Sequence, residues 1–359
     1  MNLSRGRFLD DNYVFITHEK ADDVLPANVE PGDLIFTHRG TIGQVSMVPR
    51  QPRFDRYAIG SSQVKTRLDE KRALPEFYYY WFQSGEGQRS ILAHTSTVGV
   101  PGISTPLTSI RNLQVPYPPL VEQQAIVAVL GALDEKIDVN ERITTTADEI
   151  SASIFERARL KSPDLFAEQA LSDTAEFING RAFTKGATGD GQMVVRIAEI
   201  NSGPSGSTVY NKIKVPDKHL ARPGDVLFAW SGSLTVARWF RPEAIINQHI
   251  FKCVPKNGYH RWLINQLVHR KINEFRAIAA DKATTMGHIQ RRNLDEPVQV
   301  PKPDMFQRLD AQISPLWDRA LCAEQESLSL ATLRDNLLPQ LMSGRLHVRD
   351  AEKIVEDHA

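Results

Sequence analysis

The chain has 359 residues, 43 basic and 43 acidic, with 41% apolar and 24% charged side chains, 21 Gly, 21 Pro and two Cys. This composition excludes a disordered chain, and the length predicts two or three domains at about 100–200 residues each. No apolar run reaches the roughly 20 residues that span a bilayer, the N-terminus MNLSRGRFLDDNYV lacks a signal-peptide core, and two distant cysteines fit a reduced cytoplasmic protein with both thiols buried.

The neutral total divides unevenly: 13 basic and 12 acidic groups in residues 1–118, 5 and 9 in 119–165, 19 and 12 in 166–303, and 6 and 10 in 304–359. The basic third stretch suits an anionic partner such as nucleic acid. Ordinary drift of surface charge is the plainer alternative.

In chain order, the first strong signal is PGDLIFTHRG, Pro31 to Gly40, which reads as a turn, a buried strand and a Gly-containing turn. The aromatic cluster Phe77 to Phe82 has helical spacing and fits core packing better than base stacking. RNLQVPYPP, Arg111 to Pro119, then leads into a helix from Glu122 to about Leu160. Its apolar face runs Ile126, Leu130, Leu133, Ile137, Asn140, Ile143, Ala147, Ile150 and Ile154, with one slip after Asn140. GATGDGQ, Gly186 to Gln192, reads as a flexible loop. PGDVLFAWSG, Pro223 to Gly232, repeats the first motif at an offset of 192. RWLINQLV at Arg261 to Val268 matches the earlier aromatic helix, and RRNLDEPVQVPKPD at Arg291 to Asp304 echoes the first junction. From Phe306 onward Leu309, Ile313, Leu316, Ala320, Ala323, Ser327, Leu330, Arg334, Leu337 and Leu341 form a second seam, with a kink or an end expected at Pro339.

Alternating steps of four and three are the signature of a coiled coil. The chain therefore reads as two copies of one unit, each a β-rich domain closed by a long helix. Antiparallel pairing of the helices would make a rod of roughly 60 Å at about 1.5 Å per residue. Polar Asn140, Ser327 and Arg334 on the seam would fix its register. The predicted class is α+β: two β-rich domains, 1–118 and 166–303, separated by long helices at 119–165 and 304–359 in a pseudo-twofold repeat. Met1 aligns ungapped with Met193, so the first domain looks shortened at its N-terminus, without a counterpart to SDTAEFINGRAFTKGATGDGQ.

Chemical motifs are missing. There is no phosphate-binding loop, no Gly-x-Ser-x-Gly, no Asp/Asn-Pro-Pro-aromatic tetrapeptide, no nuclease triplet after Pro163-Asp164 or Pro303-Asp304, and no His or Cys pair at zinc spacing. The chain reads as a binder without a reaction centre.

Two half-similar β-rich domains with V-P-x-P junctions to long helices resemble the specificity subunit of type I restriction–modification systems. The residues that carry the resemblance are Pro31-Gly32-Asp33 to Gly43, Ser96-Thr97 with Gly99, Ile110 to Gln124, Pro223 to Gly232, Thr284-Thr285 with Gly287, Arg292 to Pro303, and Leu333 to Val348. The resemblance implies that each β-rich domain is a target recognition domain reading half of a split sequence in double-stranded DNA. It also implies that the helical pair sets the gap, since such a rod exceeds one B-DNA turn of about 34 Å. Two adenine-methyltransferase subunits and a restriction/translocase subunit would be the partners, and S-adenosylmethionine, ATP and Mg would belong to them. No cofactor, metal, catalytic residue or membrane is expected for this chain.

THRGTIG in the first copy faces AWSGSLT in the second, so the half-sites should differ. From the base-edge chemistry of Arg, Ser and Thr and the phosphate affinity of Lys, the candidate DNA contacts in the first domain are His38, Arg39, Thr41, Ser96 and Thr97. In the second they are Lys185, Trp230, Ser231, Lys282, Thr284, Thr285 and His288. Two other classes stay open at this point: a coiled-coil structural adaptor without DNA binding, and an enzyme with an unfamiliar centre.

Overall fold

A Pro-Gly-Asp triplet interrupts regular structure, and both copies build the same turn from it. In the computed structural model, which describes residues 3–4, 7–8, 13–96, 102–281 and 288–357, Gly32 (φ +86°) and Gly224 (φ +88°) occupy the left-handed region, where a Cβ is penalised. The Asp33 carboxylate accepts the Glu30 N–H at 2.9 Å, and the Asp225 carboxylate accepts the Arg222 N–H at 2.8 Å. Each turn releases a fully buried strand, Leu34–Thr37 or Val226–Ala229.

The chain divides into two compact units, Met1–Glu135 with Leu330–Ala359, and Lys136–Ser329. In the first, Leu34–Thr37 is the central strand of an antiparallel sheet between Val45–Met47 and Gln63–Thr66. Helices Pro75–Gln83 and Gly85–Leu92 pack on it, Phe82 meeting Phe36 edge-on at 4.9 Å. Phe77, Tyr78, Tyr80, Trp81 and Phe82 are buried, so the aromatic cluster is core. The break between these helices is forced by close packing: a Cβ on Gly87 would lie 2.2 Å from the Trp81 carbonyl oxygen.

In the second unit, Val226–Ala229 lies between Thr235–Arg238 and Ile250–Pro255, and a fourth strand, Ala175–Asn179, pairs beyond Ile250–Pro255. That fourth strand lies within SDTAEFINGRAFTKGATGDGQ. The registers correspond: Leu34 and Ile35 pair with Thr66 and Lys65, as Val226 and Leu227 pair with Cys253 and Lys252. Lys65 donates to the Asn28 carbonyl, and Lys252 to that of Leu220 at 2.7 Å. A mixed sheet of Val209–Asn211, Gln192–Val195, Ala244–Ile246 and Leu220–Ala221 and the unbroken helix Arg261–Asp281 complete this domain. Its core contains Phe228, Trp262 and Phe275, all fully buried.

The long helices are Leu120–Lys161 and Pro303–Met342. Within the second unit, Asn140 bonds Glu326 at 2.9 Å, and the later Thr144 meets the earlier Ala320 carbonyl at 3.5 Å, so the helices run antiparallel. Two of the three polar seam residues find partners: besides the Asn140 bond, Arg334 donates to Asp134 at 2.6 Å within the first unit, and Glu326 also takes Lys136 at 3.2 Å, whereas the Ser327 hydroxyl is buried without a partner among the described residues.

Three sequence expectations are corrected. The slip after Asn140 moves the seam by one residue, leaving Ile150 44% exposed while Ser151 and Phe155 are buried. Cys322 is exposed, because it lies off the face that carries Ala320 and Ala323; only Cys253 is buried, and burial holds its thiol well above the usual range. Of the kink or end expected at Pro339, the end is not there: the helix continues to Met342, because Leu337, Leu338, Leu341 and Met342 on either side are buried and proline removes only one helical hydrogen bond.

Each domain also has a polar joint to its share of the helices. In the second unit Arg238, 7% exposed, donates to Glu324 at 2.7 Å and to Asp148 at 3.2 Å, and lies 4.4 Å from the Trp317 ring centre. Burial disfavours its charge, but the two carboxylates outweigh that and hold its pKa above the ordinary value; burial raises that of Glu324. Beside the pair lies a cavity of about 300 Å³ that Asn265 and His269 also line. In the first unit the Tyr80 hydroxyl donates to Asp134 at 2.7 Å, and Arg334 supplies the positive charge.

Candidate nucleic-acid interface

At the end of each central strand the backbone makes the same set of bonds. In the first domain the His38 N–H donates to Ser62 and the Ile103 N–H to His38, both at 3.0 Å, and Arg39 bridges Gly102. In the second the Trp230 N–H donates to His249 at 3.1 Å and the Ile289 N–H to Trp230 at 3.2 Å, and Ser231 bridges His288. Gly40 and Gly232 then turn the chain at φ +82° and +66°. One scaffold thus presents His38, Arg39, Ser62 and Gly102 in one copy and Trp230, Ser231, His249 and His288 in the other.

The candidate contacts differ in their surroundings. His38 is buried, its Nε2 3.1 Å from the Ser61 carbonyl, whereas Arg39 and Thr41 are exposed and no described residue pairs with the Arg39 guanidinium. Ser96 lies in the short strand Thr95–Ser96, which pairs with Gly102–Ile103 and so reaches the same corner. Thr97 lies outside the described residues. Trp230, Ser231 and His288 come together, the Trp230 and His288 rings 6.3 Å apart; Ser231 is buried and His288 exposed. Lys185 is exposed on the turn at 183–186 and shares no described contact with that group. Lys282, Thr284 and Thr285 lie outside the described residues.

Sequence reasoning missed the residues that strand pairing carries to the same corner. Trp230 Nε1 donates to Asn179 Oδ1 at 2.9 Å, and its ring centre lies 5.4 Å from that of His249. Arg181 bridges Asn247, and a Cβ on Gly180 would sit 2.1 Å from the Asn247 carbonyl oxygen, so only glycine lets the edge strand approach so closely. Asn247 Oδ1, Gln248 Oε1 and His249 Nδ1 are buried polar atoms without a partner among the described residues. The available signal was the polar triplet Asn247-Gln248-His249 between the strands Ala244–Ile246 and Ile250–Pro255. Nearby, burial lowers the pKa of His219, and the charges of Arg181 and Lys218 lower it further. The corner thus holds Arg181 and open hydrogen-bonding capacity. Among the described residues no group of three or more His, Cys, Asp or Glu could hold a metal, and no helix is long and apolar enough to cross a membrane.

Comparison with known proteins accords with this geometry. Residues 11–148 match the family model for the type I restriction modification DNA specificity domain. The type I restriction enzyme MjaIX specificity subunit of Methanocaldococcus jannaschii is 21% identical over 393 aligned residues, covering 94% of this chain and 84% of that protein. A putative type I restriction enzyme MjaX specificity subunit of the same organism is 25% identical over 133 residues, covering 36% of this chain and 31% of its own length. Among solved structures, the type I restriction-modification S subunit from M. genitalium shares the fold, with a TM-score of 0.52 at 17% identity over 87% of this chain and 83% of that one. Residues 11–148 are therefore similar to the type I restriction modification DNA specificity domain, and the chain as a whole resembles the specificity subunits of type I restriction–modification systems.

Proposed function

We propose that the chain is the non-catalytic DNA-reading subunit of a type I restriction–modification complex, working in the cytoplasm. Its two β-rich domains, residues 1–118 and 166–303, each read one half of an asymmetric bipartite target. They direct adenine methylation and cleavage by two methyltransferase subunits and a restriction/translocase subunit, which bring S-adenosylmethionine, ATP and Mg. The observation that carries the reading is the conserved scaffold at the two strand ends, which holds unlike side chains in equivalent positions, as two readers of different half-sites require. In the first domain the proposed DNA contacts are His38, Arg39, Thr41, Ser96 and Thr97. In the second domain they are Lys185, Trp230, Ser231, Lys282, Thr284, Thr285 and His288.

Sequencing modified bases in the source genome with and without this gene tests the proposal: a bipartite adenine motif should vanish on deletion. An unchanged methylome, together with no shift of labelled duplex by the full chain and its partners, would favour a structural adaptor instead. Arg39→Ala and Lys282→Ala should each weaken duplex binding by about 1–3 kcal/mol where the side chain reads a base, and mainly flatten the salt dependence where it meets phosphate. Unchanged affinity, motif and salt slope in both variants overturns those two contacts.

A further inference from the structure

Resting on the proposed DNA-reading function, we infer that Gln248 is the specificity-determining residue of the second domain, reading the edge of an adenine, and that His249 positions it. Nothing in the sequence comparison with PGDLIFTHRG pointed to this pair, because it comes from the neighbouring strand.

Gln248 precedes His249, whose ring packs on that of Trp230 at the corner. Its Nε2 approaches His249 Nε2 at 3.4 Å, a long contact, and its Oε1 has no partner. A buried amide oxygen left unpaired is unfavourable, and the terminal torsion of a glutamine side chain is broad. Rotation of this amide toward the groove exposes a donor and an acceptor side by side, the pair that matches adenine N7 and N6–H in the major groove. His249 is fixed at both ends for a supporting role. Its carbonyl takes the Trp230 N–H at 3.1 Å, and its ring packs on the Trp230 ring. Trp230 in turn is held by Asn179.

The equivalent positions in the first domain contrast with this arrangement. There the His38 N–H donates to Ser62, and His38 Nε2 approaches the Ser61 carbonyl. Two serines stand where the second domain has glutamine and histidine. Their short hydroxyls lack the bidentate amide, so adenine reading by this element belongs to the second half-site alone.

The test is selection from a pool of randomised duplexes by the full chain and by its Gln248→Ala and Gln248→Glu variants. Wild type should return two half-sites. Gln248→Ala should lose preference at one A·T pair of one half-site by roughly 5- to 150-fold, the discrimination of one bidentate contact, and leave the other half-site intact. Gln248→Glu should shift that position toward C, whose exocyclic amine donates to a carboxylate. The retained half-site shows that each variant is folded. Unchanged motifs in both variants, or equal losses in both half-sites, overturn the role of Gln248. A wild-type chain that selects no motif overturns the DNA-reading function itself, a distinct result.

Discussion

The two β-rich domains differ least in their frames and most in their polar ends and joints. The Pro-Gly-Asp turn, the central strand, the lysine that bonds a backbone carbonyl and the three bonds at the strand end recur almost atom for atom. The side chains at that end do not recur: His38 and Arg39 stand opposite Trp230 and Ser231, and Ser61 and Ser62 opposite Gln248 and His249. Backbone bonds tolerate any side chain that keeps φ and ψ, so a duplicated frame can diverge at its tips without losing stability. The joints diverge too. The second domain meets its helices through buried Arg238 between two carboxylates, the first through Tyr80 and Asp134 with the half-buried Arg334.

The largest expected effect tests the joints. Arg238→Ala leaves Glu324 buried beside Asp148 without a counter-charge and should destabilise the second unit by about 3–5 kcal/mol in urea unfolding followed by tryptophan fluorescence. Trp230, Trp239, Trp262 and Trp317 report on that unit, and Trp81 on the first. Adding Glu324→Gln should recover part of the loss. Arg334→Ala in the more accessible joint should cost about 1–3 kcal/mol, and an equal or greater loss there would erase the contrast between the joints.

The shared frame is tested by Gly32→Ala and Gly224→Ala. At φ near +87° each should cost about 1–2 kcal/mol, and a neutral result at either site would show that the two turns are not equivalent. The smallest effect is that of pH on the second unit. Burial holds both His219 and His269 below the ordinary 6.5, so as pH falls through 6.5 the unfolded chain takes up protons that the folded one refuses. Their contribution is present above pH 6.5 and is lost as pH drops below it. The urea midpoint of the second unit should therefore fall between pH 7.5 and 5.5, less steeply in His269→Gln.

Much of this was legible in the residues. The repeat of Pro31 to Gly40 at Pro223 to Gly232 announced the two frames, because a turn followed by an apolar run is local information. The helical seams are equally local, and the polar seam residues Asn140 and Arg334 meet Glu326 and Asp134. The seam error at Ile150 arose because a single extra residue in a heptad cannot be assigned to a side without the partner helix. Cys322, between the seam positions Ala320 and Ala323, points off their face and is exposed. The reading corner was only half legible: Trp230, Ser231 and His288 were chosen, yet Asn179, Gln248 and His249 arrive through strand pairing.

By itself the sequence determined two turn-and-strand units, two long amphipathic helices and a chain without the motifs of an enzyme, since each follows from spacing within a few residues. Only the tertiary structure decided which side chains share a corner and which charges are buried together. Strand pairing brings His249, with Gln248 next to it, onto Trp230, and helix packing brings Glu324 and Asp148 onto Arg238. Those meetings depend on how distant segments bury their apolar faces against one another, which no local spacing encodes.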